Sequence, residues 1–368
     1  MPLILVLAMY ASFEVASSSG AYGVEIEAGA FKKTLTASKD AVAMCDERFV
    51  SSIQKAGLKT IAIPAEEAAK SLDAIPTYII NLRKLGANRR TPLLAVGGGI
   101  VQDVAAFCAA IYMRGLSWTY IPTTLLGMAD SCIGGKSSIN VGEYKNIVGT
   151  FLPPQKILID PDLAATLSPE QIIAGLCEAA KICFCRGPKE FQAYMKIAPT
   201  LTMDERAITE IITTSLLAKK WFIETDEYDR KERLLLNFGH TFGHALEGAT
   251  HFRVSHGIAV GLGMLCALAF GRRLGRSYEG ALLQSVRDME SHIDKLLQQH
   301  PTLPKQLAGV EVSEVLDRFA ADKKHTSDHF SIVMVNASGA AVLENLSKTD
   351  ATRAPLGDAI ADVLKCYA

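Results

Sequence analysis

His240 and His244 stand four residues apart in the run Asn237-Phe238-Gly239-His240-Thr241-Phe242-Gly243-His244, and His256 follows in Ser255-His256-Gly257. Two imidazoles at i, i+4 with a third close behind are a way for a helical scaffold to gather nitrogen ligands for a divalent metal, zinc in the usual case, with positions left open for substrate. Zinc peptidases carry their general-base Glu directly after the first His; Thr241 fills that place here, so peptidase chemistry lacks its base. Nothing converges on His251, which reads as an ordinary capped or surface histidine.

Glu178 and Lys181 share a helix face in Gly175-Leu176-Cys177-Glu178-Ala179-Ala180-Lys181, among apolar neighbours. A carboxylate in such surroundings needs a metal or a cation, and a plain intrahelical ion pair is the simpler alternative. In Val96-Gly97-Gly98-Gly99-Ile100-Val101-Gln102-Asp103, three glycines lie between an apolar strand and a helix. There they let backbone N–H groups approach a diphosphate at a helix N-terminus, although the spacing is not GxGxxG and a tight structural turn has the same appearance. Asp130-Ser131-Cys132-Ile133-Gly134-Gly135-Lys136, followed by Lys145-Asn146, lacks the upstream glycine of a Walker loop, which disfavours kinase or ATPase chemistry. Two lysines and an amide beside small residues suit a small polyanion.

These groups need elements to position them. Strand-like runs at Tyr22–Ile26, Thr60–Ile63, Leu93–Val96, Trp118–Ile121 and Lys156–Asp160 alternate with helical spacing at Ala68–Leu85 and Val101–Met113. That order predicts an α/β domain with a mainly parallel sheet. Beyond it, Pro169–Cys185, Met203–Ile223, His240–Gly248, His256–Leu274 and Gly280–Leu297 read as helices. We therefore expect an α/β domain over residues 1–165 and an all-α domain over 166–368.

The composition agrees with a soluble enzyme: 368 residues, 49% hydrophobic, with 38 basic against 39 acidic side chains. No basic stripe exists to bind nucleic acid, and no apolar run is long enough to span a membrane. Eight scattered cysteines without CxxC spacing read as reduced core residues of a cytoplasmic protein. The apolar start Pro2–Met9 lacks a basic n-region and reads as a buried first strand.

Taken in order, Gly97-Gly98-Gly99 with Asp103, Tyr112-Met113-Arg114-Gly115, Pro122-Thr123-Thr124-Leu125-Leu126, Asp130 to Lys136, Lys145-Asn146, Glu178-Ala179-Ala180-Lys181, Asn237 to His244 and Asp322-Lys323-Lys324 resemble the sugar-phosphate cyclases, and among them the 3-dehydroquinate synthase family. The resemblance covers nearly the whole chain. It implies a carbon–oxygen lyase acting on a phosphorylated sugar acid, with NAD on the first domain and a divalent metal, zinc or cobalt, on Glu178, His240 and His256. Asp46, Glu67, Lys70, Gly97, Gly98, Gly99, Asp103, Thr123, Thr124, Lys145 and Thr166 match dinucleotide-contacting positions. Asp130, Lys136, Lys145, Asn146, Lys181, Lys219, Arg233, Asn237 and His244 match substrate positions, with Arg114 and Lys324 near the phosphate and Arg114 supplied by the other subunit of a homodimer. The implied chemistry is transient oxidation of a ring hydroxyl, phosphate elimination, reduction, ring opening and aldol closure.

Several stretches depart from the family pattern, among them Ser137-Ser138 after the lysine, the loop Asn140 to Tyr144 and the segment His325 to His329. Against that drift, Arg233 and Asn237 stay as dehydroquinate synthases have them, and a guanidinium fork suits a substrate carboxylate that neutral sugars lack. A sibling cyclase of the 2-deoxy-scyllo-inosose or epi-valiolone type remains an alternative. So does a metal-dependent alcohol dehydrogenase of the glycerol dehydrogenase type, which does not need the lysines 136, 145, 181 and 219.

Overall fold

The computed structural model describes residues 5–7 and 10–368. The chain divides into two compact units, Met1–Leu167 with Met203–Glu227, and Ser168–Thr202 with Tyr228–Ala368.

Twelve strands are present among the described residues: β1 (Leu5–Leu7), β2 (Tyr10–Val15), β3 (Tyr22–Glu27), β4 (Val42–Asp46), β5 (Lys59–Ile63), β6 (Leu93–Gly97), β7 (Trp118–Pro122), β8 (Lys136–Val141), β9 (Tyr144–Phe151), β10 (Lys156–Ile159), β11 (His329–Val335) and β12 (Ala341–Ser347). The first unit is built on an eight-stranded sheet in the order β1-β2-β3-β10-β7-β6-β4-β5. From β3 through β5 neighbouring strands run parallel, and the β1–β2–β3 edge is antiparallel. β4 and β6 are buried at every position, as expected of central parallel strands. The predicted parallel sheet is thus present. Of the expected first strand, only residues 5–7 are described, as the antiparallel partner of β2; the rest lies outside the described residues.

The helical reading of Ala68–Leu85 is interrupted. A 3-10 turn covers Glu67–Lys70, Ser71 is extended, and the helix proper runs Ile75–Lys84 with a proline, Pro76, in its first turn. Pro76 fixes a helical φ while lacking an N–H, so it starts a helix better than it continues one. The stretch from Lys136 to Phe151 is the hairpin β8–β9, turned at Gly142, whose φ is +57°.

The second unit is mainly helical, as expected, but also contains the antiparallel hairpin β11–β12. One expected helix of that half, observed as Glu205–Thr225, groups with the first unit instead. Ser215 donates to the Ala129 carbonyl at 2.8 Å and Lys219 to the Asp130 carbonyl at 2.7 Å, which fix it there. Seven of the eight cysteines are buried thiols and Cys366 is exposed. No helix of the described residues is long and apolar enough to cross a membrane.

Candidate active site

Glu178 lies in the helix Pro169–Arg186, whose start is fixed by a capping box between Ser168 and Gln171 with Pro169 in the first turn. Its carboxylate is fully buried. His240 and His256 each open a helix of their own, His240–Ala249 and His256–Arg273. Their Nε2 atoms stand 3.7 and 3.5 Å from Glu178 Oε1. A tetrahedral ion with bonds of 2.0–2.1 Å keeps neighbouring ligand atoms about 3.3 Å apart, so this trio already stands near ligand spacing. One carboxylate and two imidazoles form a donor set that leaves a coordination position open, and it fits a divalent ion such as zinc.

The other ring nitrogens explain why Nε2 faces inward. His240 Nδ1 lies 3.3 Å from the Phe238 carbonyl, and His256 Nδ1 lies 3.2 Å from Glu247 Oε2. A ring donating from Nδ1 presents a bare Nε2 to a metal, and a carboxylate behind it raises ligand basicity. Burial, with the charge of Lys181 behind it, pushes His240 well below its ordinary pKa, so the ring is neutral and able to ligate. At His256 burial acts in the same sense but is outweighed by Glu247 and Glu178, which hold the ring above its ordinary value. His244, Glu247 and His256 also bring ligand atoms within 4.8 Å of one another. Glu247 is committed to orienting His256, however, and the Glu178 trio is the better ligand set. The i, i+4 histidine pair therefore splits: His240 joins the trio and His244 stands beside it.

Glycines next to the histidines make this convergence possible. A Cβ on Gly257 would come within 2.3 Å of the Ala174 carbonyl oxygen, and one on Gly261 within 2.8 Å of Cys177 Sγ. The helices bearing His256 and Glu178 therefore touch through backbone. A Cβ on Gly239, at φ +76°, would meet the Val260 carbonyl oxygen at 2.7 Å. The segment entering at His240 is likewise pressed against the His256 helix.

In the first unit, the expected dinucleotide residues gather along one edge of the sheet. Asp46 ends β4, Glu67 and Lys70 follow β5, Gly97 to Gly99 end β6, Thr123 and Thr124 follow β7, and Thr166 closes the turn after β10. Carboxyl ends of parallel strands are where open α/β sheets bind their ligands. The Gly97 carbonyl is held by Thr123 N and the Tyr120 hydroxyl, each at 3.0 Å, and the helix Gly99–Ile111 springs from that turn. Asp103 pairs with Lys70 at 2.6 Å and accepts from Ser138 N at 2.9 Å. Glu67 accepts from Asn140 at 2.7 Å and lies 3.3 Å from Lys145. Burial opposes charge on Glu67, yet Asn140, Lys145 and Lys70 outweigh it and hold the carboxyl below its ordinary range. Asp46, by contrast, is tied to Arg48 at 2.9 Å.

With this geometry in view, residues 60–174 match the N-terminal part of 3-dehydroquinate synthase and residues 175–325 its C-terminal part. The chain belongs to the 3-dehydroquinate synthase family. It is 34% identical over 295 residues to the 3-dehydroquinate synthase of Methylacidiphilum infernorum, covering 79% of this chain and 78% of that one. With the 3-dehydroquinate synthase of Saccharolobus solfataricus it shares 36% over 275 residues, 73% of this chain and 75% of the relative. Among solved structures, a 2-deoxy-scyllo-inosose synthase complexed with carbaglucose-6-phosphate, NAD⁺ and Co²⁺ superposes with a TM-score of 0.82 at 21% identity, covering 95% of this chain and 99% of that one. A 2-epi-5-epi-valiolone synthase from Streptomyces hygroscopicus, with NAD⁺ and Zn²⁺ bound, gives 0.77 at 24%, covering 95% and 98%.

The substrate positions that family membership draws attention to divide between the units. On the first, Lys219 pairs with Asp130 Oδ1 at 2.5 Å, Lys136 lies over the Phe151 ring at 5.9 Å, and Arg114 and Asn146 take left-handed φ values of +70° and +56°. On the second, Lys181 pairs with the remaining oxygen of Glu178. Arg233 is buried and meets Asp229 at 3.0 Å, Asn237 donates to the Leu234 carbonyl at 3.0 Å, and Lys324 pairs with Asp322 at 2.8 Å. Burial, then His256 and Lys324, pushes His244 down to about 4. Sequence reasoning missed Glu247 as the orienting carboxylate. A signal existed: residues 240, 244 and 247 share one helix face.

Proposed function

We propose that the protein is an NAD⁺- and divalent-metal-dependent sugar-phosphate cyclase that converts 3-deoxy-arabino-heptulosonate 7-phosphate into 3-dehydroquinate and phosphate. The observation that carries this reading is the convergence of Glu178, His240 and His256 in a chain that matches both halves of the dehydroquinate synthase family. Zinc or cobalt would be held by these three residues and would supply Lewis acidity toward adjacent substrate hydroxyls. NAD⁺ on the sheet edge would supply a hydride acceptor that becomes the donor again within one turnover, serving as a catalyst.

The chain's own residues bind, orient and move protons. Lys181 pairs with the second oxygen of Glu178 and supplies the cation that a buried carboxylate needs. Arg233 offers the substrate carboxylate a planar fork, for which Asp229 holds it in place. Lys136, Asn146, His244 and Lys324 take the phosphate, joined by Arg114 from the other subunit of a homodimer. Burial, with His256 and Lys324 beside it, holds His244 below its ordinary pKa and favours the neutral ring. Its bare ring nitrogen can therefore accept a proton beside the phosphate. The reduced, buried thiols accord with a cytoplasmic enzyme.

The test is to incubate the purified protein with NAD⁺, zinc or cobalt, and a panel of heptulose and hexose phosphates, recording phosphate release and product mass. Release from the heptulosonate phosphate with no steady rise in NADH is the expected result. Turnover of a neutral sugar phosphate alone would make it a sibling cyclase, and accumulating NADH would make it a dehydrogenase. Arg233→Ala should lower kcat/KM roughly tenfold to a hundredfold, since a charge-assisted contact is worth about 1.5–3 kcal/mol. Arg233→Lys should recover part of that loss.

A further inference from the structure

Ser255 directly precedes the ligand His256 and is the N-cap of its helix, with φ −72° and ψ 155°. A serine there ordinarily accepts a hydrogen bond from the first turn, but the Ser255 side chain makes no such bond. Its Oγ is buried instead, together with His300 Nε2 and Gln306 Oε1, and none of the three closes a hydrogen bond of ordinary length. The side chains of His300, Ser255 and Gln306 lie beside the Glu170 carboxyl. His300 foremost, with Ser255 and Gln306 adding to it, holds the Glu170 carboxyl below its ordinary range, against the cost of burial.

The tautomer of His300 is fixed from its other side. Thr302 N donates to His300 Nδ1 at 3.3 Å, so the neutral ring carries its proton on Nε2, and that N–H stands 3.7 Å from Glu170 Oε2. The His300 side chain is fully inaccessible to solvent. Glu170 sits in the first turn of the same helix that carries Glu178. A carboxylate in the first turn of one ligand-bearing helix thus lies beside the start of the other ligand-bearing helix. Gly257, one residue beyond His256, is where the backbones of these two helices touch.

We propose that Glu170, Ser255, His300 and Gln306 form a positioning cluster for the ligand His256, fixing the start of its helix against the helix that supplies Glu178. The proposal rests on the metal reading of Glu178, His240 and His256. It makes Ser255 a strut between two ligand helices, and Glu170 the charge that holds the strut.

The test uses metal-free full-length protein titrated with Co²⁺, with affinity read by calorimetry and ligand geometry by the visible absorption of the bound ion. Ser255→Ala and Glu170→Gln should each weaken Co²⁺ binding roughly tenfold, the lower end of what removal of groups behind metal ligands produces, and shift the visible bands. Ser255→Thr, which keeps the hydroxyl, should restore both, and NAD⁺ affinity should be the same in all three. Parental affinity and spectrum in Ser255→Ala and Glu170→Gln would overturn the proposal. So would a loss that Ser255→Thr does not restore, since that outcome reports general disruption of the helix start. Glu178→Gln is the control for the underlying reading: if it binds Co²⁺ like the parent, the metal assignment fails; if it does not, an unaltered Ser255→Ala counts against the cluster alone.

Discussion

A side chain added at Gly257 would meet the Ala174 carbonyl oxygen at 2.3 Å, whereas one added at Gly99 would meet nothing within 4 Å. Both glycines stand beside functional groups, yet they serve different needs. In the second unit the chemistry is in side chains, and glycine lets three backbone segments close until those side chains meet. In the first unit the glycine turn itself is the surface we propose for the dinucleotide, and the space beside Gly99 is open. Gly97 and Gly98 are intermediate: a Cβ on the former would strike the Val101 side chain at 2.5 Å, and on the latter the Thr124 methyl at 3.0 Å. Substitutions should therefore separate folding from binding differently in the two places.

The largest effect should come from the metal trio. Glu178→Gln removes the charge that pairs with buried Lys181, and breaking a buried pair from one side costs about 3 kcal/mol or more. Bound metal and turnover should be lost while NAD⁺ binding survives, as read by metal analysis, activity and calorimetry. Stoichiometric metal in this variant would remove Glu178 from the ligand set and dissolve the contrast between the two regions. Gly257→Ala comes next. The added methyl must push apart two helices in backbone contact, an overpacking cost of about 1–3 kcal/mol that should lower the melting temperature and weaken metal binding together.

Gly99→Ala tests the other side of the comparison. Gly99 is the first residue of its helix and has an ordinary helical conformation, so alanine should leave the melting temperature unchanged or slightly raised. NAD⁺ should nevertheless bind about tenfold more weakly, because a methyl then stands where the diphosphate approaches the backbone. A variant with parental NAD⁺ affinity would move the dinucleotide away from this turn. Gly98→Val is less informative, since its clash with Thr124 mixes packing with binding.

The same contrast explains what the sequence disclosed. Glu178, His240 and His256 were legible because residue type carries ligand chemistry, and the adjoining glycines mark the close approach. The glycine turn was legible because strand, glycine and helix adjoin in the chain. Lys219 beside Asp130 was within reach only through the family resemblance, because the grouping of the Glu205–Thr225 helix with the first unit depends on tertiary contacts at Ala129 and Asp130. The β8–β9 hairpin was missed although Gly142-Glu143 is a short turn between its strands. Its β9 strand is half exposed along its length and has no clear hydrophobic alternation. Glu170, Ser255, His300 and Gln306 carried no signal, because their meeting is a property of four separate helix ends.

The smallest predicted effect concerns the back of the Glu178 helix. Tyr194 OH lies 3.2 Å from the Leu176 carbonyl and 2.9 Å from His292 Nε2. The hydroxyl has one proton, so donating it to Leu176 requires the neutral His292 ring to carry its hydrogen on Nε2 and donate to the phenol oxygen. Burial pushes His292 down to about 4. A folded-state pKa below the ordinary 6.5 means that the unfolded chain takes up the proton first, so this group's contribution is present above 6.5 and is lost as pH falls toward 4. Between pH 7 and 5.5 the loss should be about 1 kcal/mol, read as a lower midpoint in urea denaturation, and His292→Gln should flatten that part of the profile. NAD⁺ affinity, which we assign to the carboxyl ends of the parallel strands, should stay level over the same range. If His292→Gln keeps the parental slope, the acid sensitivity lies elsewhere, and the Tyr194–His292 pair is a neutral brace whose protonation is indifferent to folding.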